Sequence, residues 1–346
     1  MHGVDRGTES SSFALREPSS AAAHHTRRFY GRGGSSPELQ SRAVRLLLIV
    51  NATAQQVTPW KVTIIESALA SAFDVEVVLT KRGGHATHLA RGAAHEGVDL
   101  VVALGGDGTV NEVVNGLAGT SVPMAILPGG GVNVLARSLG MPADPIEATA
   151  HLLHNRNRPP RRVPLGRADG RYFTFSCGVG LDGAIVKQVE RRRALKRAGR
   201  SGYYAWTALR VFFGRYGRRR PRIHVRWGPA LEHRRDSLFV AIAQKSDPFT
   251  YLGPRPMRLC PQADLEGGLD LLGLDTLRLG FILRLIASAF GSGRHVRSRH
   301  VLHLHDQERI EVNCDVPLPV QADGEYVGDR DRVVLEVVPD ALSLLP

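Results

Sequence analysis

Residues 44–50 (VRLLLIV) open the patterned part of the chain with a short apolar run, the mark of a strand buried on both faces. The pattern then alternates. Residues 59–73 read as a helix, 75–80 as a strand, 86–96 as a helix and 98–104 as a second apolar strand. Helix 109–117, strand 123–127 and a helix at about 134–139 complete the series, the last capped by Asn133 and stopped by Gly140 with Pro142 just beyond. Parallel strands need crossovers of about this length, so the alternation predicts an α/β domain, a parallel sheet with helices on both faces, over residues 42–160.

Beyond residue 160 the texture changes. Strand-like segments fall at 172–177, 223–227, 237–243, 269–275, 300–305, 309–313 and 332–338, separated by Gly, Pro and Asp turns. They predict a second, mainly antiparallel β-sandwich domain over 161–346, with a basic helix inserted at 190–216 and a C-terminal segment able to return to the first domain. Residues 1–41 are rich in Ser, Gly, Arg and His, and they lack the apolar run of about 7 to 15 residues that a secretory signal needs. They read as a disordered tail.

Composition narrows the class. Of 346 residues, 43% are hydrophobic and 23% charged, enough for two cored domains. Three cysteines, Cys177, Cys260 and Cys314, form no CxxC pair, which argues against a disulfide framework or zinc cluster and for a reducing cytoplasm. The longest near-apolar run, 277–290, is broken by Arg278, Gly280 and Arg284 and falls short of the roughly 20 residues that span a bilayer.

A net charge of +12 calls for an anionic partner. Between 191 and 222 stand twelve Arg or Lys and no acid, interleaved with Tyr203, Tyr204, Trp206, Phe212, Phe213 and Tyr216. That mixture suits an interfacial helix on anionic lipid headgroups, and equally a solvated basic helix packed by its apolar face. Nucleic acid is not expected, since no helix-turn-helix, zinc finger or RNA-binding fingerprint is present.

The chemistry concentrates at two glycine turns. Gly105-Gly106-Asp107-Gly108-Thr109 follows a buried strand and opens a helix, where glycines let a phosphate approach backbone amides. Thr109 and Glu112 have the spacing of a capping box. One strand later Pro128-Gly129-Gly130-Gly131 repeats the design, and two such turns on successive strands suggest a phosphate cleft rather than two empty turns. Neither a GxxxxGK[ST] nor a GxGxxG run occurs here, which disfavours P-loop NTPases and Rossmann dehydrogenases.

The run from Gly105 to Leu117, GGDGTVNEVVNGL, resembles the GGDGTxNEVxNGL signature of the diacylglycerol kinase catalytic family, which includes bacterial lipid kinases and sphingosine kinases. Phe175 to Asp182 is similar to the family's GxGxDA element, and Gln321 to Glu325 to its DGE element.

The resemblance implies a lipid kinase working at the inner membrane surface with ATP and Mg²⁺ between an α/β domain and a β-sandwich. By carry-over, Asn51, Thr80, Gly105, Gly106, Asp107, Gly108, Thr109 and Asn111 contact nucleotide, joined by Gly130, Gly131 and Asn133 from the second turn. Asp182 faces the lipid head group. Asp323 is the favoured base with Asp107 as rival, and Glu325 and Asp107 organise metal and water. Without the family, Asp323-Gly324 is simply a hairpin turn.

Three departures stand out. The family's NPxSG loop is here Asn51-Ala52-Thr53-Ala54-Gln55, and its PxGTxND turn has Gly131 for Thr and Val134 for Asp. Its structural Mg²⁺ loop corresponds to Asp264, Glu266 and Leu269, with Gly267 in place of the second acid. His300, His303 and His305 are expected on one strand face, with no acidic or cysteine partner to make them a metal cluster.

Diacylglycerol is the leading acceptor, ahead of sphingoid bases. An NAD kinase or phosphofructokinase-like activity is the alternative enzyme, because both use a GGDG turn. A catalytically weak nucleotide or lipid binder is the alternative outside catalysis.

Overall fold

Continuous aliphatic runs become the central strands of the first half. β1 (Arg45–Val50), β3 (Leu100–Gly105) and β4 (Met124–Pro128) are buried almost throughout, while β2 (Asp74–Leu79), with Asp74 and Glu76 exposed, forms the edge. The order β2-β1-β3-β4 is parallel at every step. The computed structural model describes residues 43–191 and 222–345. The tail expected at 1–41 lies outside these residues, as does the basic helix expected at 190–216 apart from its first two positions.

Side chains alternate across the sheet with period two. Leu46, Leu48 and Val50 face α1 (Pro59–Ala70) and α5 (Pro145–Asn155), where Ile65, Leu69 and Leu152 meet them. Leu47 and Ile49 face α2 (His85–His95) and α3 (Asp107–Leu117), against Ala90, Val113 and Leu117. Truncating any one of these buried leucines to alanine costs about 2–5 kcal/mol. The alternation in sequence did not include α5, although Asp144 caps it by accepting from Ile146 N at 2.8 Å and Pro145 occupies its first position. A short helix, α4 (Val134–Ser138), follows β4.

The second half is built from antiparallel ladders. β5 (Arg161–Ala168) pairs with β6 (Arg171–Phe173), and β8 (Ile223–Trp227) with β9 (His233–Leu238). The main run contains β7 (Ser176–Gly180), β10 (Val240–Gln244), β13 (Leu269–Leu274), β14 (Val301–Gln307), β15 (Arg309–Ala322) and β16 (Glu325–Leu344), in the order β14-β13-β10-β7-β15-β16. β11 (Thr250–Leu252) and β12 (Arg255–Met257) form a small separate hairpin. The architecture is thus an α/β domain with a parallel sheet followed by a mainly antiparallel β-sandwich.

The structure differs from the expected pattern in three places. The strand expected at 172–177 is two strands, because the amides of Thr174 and Phe175 are drawn off the ladder to the Asp323 carboxylate. A helix unseen in the sequence, α6 (Leu181–Glu190), follows β7. The apolar run at 277–290 is α7 (Leu279–Ala289), and among the described residues no helix is long and apolar enough to cross a membrane.

β15 and β16 are joined by a two-residue turn at Asp323-Gly324, with φ of +47° and +77°, the left-handed pair of a tight hairpin. β16 then runs on until Leu344 pairs in parallel with Met124 of β4. β16 therefore joins the antiparallel ladders to the parallel strands, and the turn at its start brings Asp323 and Glu325 to the mouth of α3.

Candidate active site

The first glycine turn passes directly into α3, whose cap is Gly106 and whose first residue is Asp107. The capping box expected from Thr109 and Glu112 does not form. Glu112 instead accepts from Gly84 N at 2.8 Å and Ala86 N at 3.0 Å, supplying the N-terminal cap that α2 lacks. Thr109 Oγ1 accepts from Asn51 Nδ2 at 2.9 Å, and Asn51 Oδ1 accepts from both Thr53 N and Thr53 Oγ1. Asn51 and Thr109 therefore meet, while Thr80 stands at the end of the neighbouring β2, its amide on Val50 O at 2.8 Å.

The two glycine turns touch backbone to backbone. Gly129 N donates to Gly105 O at 2.7 Å, and a Cβ on Gly130 would lie 2.6 Å from Gly106 Cα. Glycine is thus required here by the mutual packing of the turns, before any ligand is considered. Asn133, in the left-handed region at φ +52°, spends its amide on its own turn, accepting from Gly130 N and donating to Gly130 O, both at 2.9 Å. Gly131 lies against Gln55, and Gln56 Nε2 donates to Gly130 O at 2.8 Å. Gln55 and Gln56 were not singled out in the sequence. They tie the first loop to the second turn.

Three carboxylates converge at this mouth, in different surroundings. Asp107 Oδ1 accepts from Val134 N at 2.6 Å, and burial, reinforced by the charge of Asp323, pushes its pKa up to about 6 despite that bond. Glu325 pairs through Oε2 with Arg171 Nη2 at 2.6 Å. Its Oε1 lies against Gly108, 2.7 Å from where a Cβ there would stand. Arg171 Nη2 also donates to Asn111 Oδ1 at 2.9 Å, so arginine, asparagine and glutamate form one connected group. Arg171 had no signal in the sequence. It enters through the β5–β6 hairpin.

Asp323 is differently placed from the base it was expected to be. Its Oδ2 accepts from Asn111 Nδ2, Thr174 N and Thr174 Oγ1 at 2.7–2.9 Å, and its Oδ1 from Phe175 N and Ser176 N at 3.0 Å. A carboxylate has about four lone-pair positions, and five donors exhaust them. No acceptor position is left for a substrate hydroxyl. Burial raises the pKa of Asp323 even against these donors. It fastens β7 and α3 to the hairpin.

Asp182, in the first turn of α6, does not join the Asp107–Glu325 group. Its Oδ2 accepts from Gln321 Nε2 at 2.7 Å, and burial pushes its pKa up to about 6. Gln321 in turn reaches Ser176 Oγ at 3.3 Å, an indirect link to Asp323.

The loop expected to hold a structural Mg²⁺ through Asp264, Glu266 and Leu269 contains a cation of the chain's own. The fully buried Lys245 ammonium donates to the carbonyls of Asp264, Leu265 and Gly267. Burial lowers its pKa to about 8, so it stays charged at neutral pH. Asp264 Oδ1 accepts from Glu266 N, Glu266 pairs with Arg161 at 3.0 Å, and Leu269 sits in the β13 ladder. A divalent ion does not fit at carbonyls that already surround an ammonium, since the two like charges would repel.

Residues 45–165 match the model of the diacylglycerol kinase catalytic domain, and residues 176–346 that of the YegS C-terminal NAD kinase beta sandwich-like domain. The diacylglycerol kinase of Bacillus subtilis (strain 168) is 29% identical over 260 residues, 74% of this chain and 80% of its own. The Chromohalobacter salexigens protein named Probable lipid kinase YegS-like is 38% identical over 133 residues, 37% of this chain and 41% of its own. The crystal structure of a diacylglycerol kinase from Bacillus anthracis str. Sterne aligns with a TM-score of 0.68 at 24% identity, covering 88% of this chain and 98% of that one. The last likeness is one of fold.

Proposed function

The chain belongs to the diacylglycerol kinase catalytic-domain family, and from that premise we propose that it transfers the γ-phosphate of ATP to a lipid hydroxyl, converting diacylglycerol to phosphatidic acid. The observation that carries the reading is the meeting, at one helix start, of acids from both halves of the chain. Asp107 is the first residue of α3, and Glu325 lies against Gly108 immediately after it.

The acceptor hydroxyl attacks the γ-phosphorus, its proton passes to Asp107, and the bond from phosphorus to the ADP oxygen breaks. Asp107 suits the role because burial brings its pKa close to neutral and Val134 occupies only one of its oxygens. The first amides of α3 and the adjoining glycine backbones give the phosphates donors and the positive end of a helix dipole. Arg171 holds Glu325 and Asn111 in register. The carboxylate oxygens of Asp107 and Glu325, both at the start of α3, are the hard donors that Mg²⁺ takes, and Glu325 would hold the ion. When bound, that ion neutralises charge on the β- and γ-phosphates.

A lipid acceptor has to be met at a surface. α7 turns Leu279, Leu283 and Ile286 to solvent, beside the exposed Arg278 and Arg284. Leucines on one side and arginines at the flanks suit peripheral contact with anionic lipid.

Purified protein with labelled ATP is offered diacylglycerol vesicles, a sphingoid base, or NAD. Label in phosphatidic acid is the expected result. Label in the dinucleotide alone overturns the proposal, and ATP binding without transfer to any acceptor leaves the binding-protein reading in its place.

A further inference from the structure

Away from the cleft, Cys260, Asp270 and His303 bring one donor atom each to within 4.8 Å of one another. Cys260 and Asp270 are buried, 0% and 1% exposed, and the His303 side chain is 13% exposed. Two of the three donors are orphaned. Among the described residues neither Asp270 Oδ2 nor His303 Nε2 has a hydrogen-bond partner, and they face each other at 3.8 Å. Two unpaired polar atoms aimed at each other inside a core are costly unless something lies between them.

We infer that Cys260, Asp270 and His303 form a zinc site that pins β13, β14 and the loop after β12 together. Thiolate, imidazole and carboxylate are the donor types zinc takes, at about 2.0–2.3 Å, which puts tetrahedral donors roughly 3.3–3.7 Å apart. The observed 3.8 Å between Asp270 Oδ2 and His303 Nε2 is close to that spacing. One thiolate, one carboxylate and a neutral imidazole cancel the charge of a divalent ion, which suits a buried position. Binding releases the thiol proton of Cys260 to solvent.

The surrounding contacts leave the right atoms free. Asp270 Oδ1 is occupied by His305 Nδ1 at 2.8 Å and Asp306 N at 3.0 Å, so only Oδ2 points inward, as supporting bonds orient carboxylate ligands elsewhere. The Cys260 amide is fixed on Gln244 Oε1 at 2.8 Å. His303 and His305 were expected without an acidic or cysteine partner. Folding supplies both, while His300 goes separately to Asp275 at 2.9 Å. Its donor set is distinct from that of the Lys245 loop, whose carbonyls hold the chain's own ammonium.

The test uses full-length protein stripped of metal with a chelator and titrated with Co²⁺. A thiolate-to-cobalt charge-transfer band saturating at about one equivalent, bleached by Zn²⁺ and indifferent to millimolar Mg²⁺, is expected. Cys260→Ser should lose the band, and His303→Gln should weaken Zn²⁺ binding roughly tenfold or more. Absence of the band in the wild type overturns the site, as does its retention in a folded Cys260→Ser protein, which would assign it to Cys177 or Cys314. Zn²⁺ affinity unchanged in folded His303→Gln overturns it as well. Should Cys260→Ser not fold, Cys177→Ser and Cys314→Ser decide: a band kept in both leaves Cys260 as its thiolate, and a band lost in either overturns the site.

Discussion

Val134 donates its backbone amide to Asp107 at 2.6 Å, and by that bond the start of α4 is seated on the start of α3. Position 134 is where the family resemblance leads one to expect a carboxylate. Here the side chain is a valine, 2% exposed, and the main chain does the joining. Asp107 therefore serves both turns: it is the first residue of α3, and its Oδ1 receives the first amide of α4.

That arrangement predicts how Asp107→Asn behaves. An amide oxygen can still accept from Val134 N, so the melting temperature should change little. The proton acceptor is gone, and kcat should fall by about 10²–10⁴. Side-by-side turnover and thermal melts check this, and a variant with wild-type kcat would remove Asp107 from the chemistry.

The pH profile follows from the same carboxylate. Burial raises Asp107 to about 6, so the basic form that accepts a proton is lost as pH falls through about 6. kcat/KM should show an acidic limb there. Asp182 is raised to the same region by burial, so Asp182→Asn should keep the limb. A wild-type limb near 4, or one that disappears in Asp182→Asn, would assign it elsewhere.

Asp323 is predicted to matter for stability. Asp323→Ala leaves the amides of Thr174, Phe175 and Ser176 and the side chain of Asn111 without their acceptor in a buried place, a loss of about 3–5 kcal/mol in denaturant unfolding. Glu325→Gln weakens a partly exposed pair with Arg171, side chains 30% and 36% exposed, and should cost about 0–1 kcal/mol while still reducing turnover. An Asp323→Asn protein as stable as wild type yet inactive would return the proton-accepting role to Asp323.

What the sequence made legible was what local pattern dictates. β1, β3 and β4 are apolar at every core-facing position because both faces are covered, and such runs stand out without any knowledge of neighbours. The two glycine turns stood out for the same reason. Long-range partners did not. Glu112 sits three residues after Thr109 as a capping box requires, yet α2 packs alongside and takes the carboxylate. Arg171 gains its role only when a hairpin folds it onto Glu325, 154 positions away. Asp323 looked like either a turn or a base. It makes the turn, and the donors that surround it come from α3, from the start of β7 and from the two residues before β7.

Membrane contact is predicted to run through α7. Leu279, Leu283 and Ile286 recur at helical spacing on its exposed side, whereas Leu285 and Ala289 anchor the opposite side to the sandwich. Inserting one leucine contributes about 1.5–3 kcal/mol, so Leu283→Asp should weaken vesicle co-sedimentation roughly tenfold or more. Binding should need anionic lipid and decline with salt, because attraction from Arg278 and Arg284 is screened over about 8 Å at physiological ionic strength. Turnover of a short-chain, water-dispersed diacylglycerol should be untouched, since α7 holds none of the cleft residues. Equal co-sedimentation of wild type and Leu283→Asp, or equal binding to neutral and anionic vesicles, would place the membrane surface on another part of the chain.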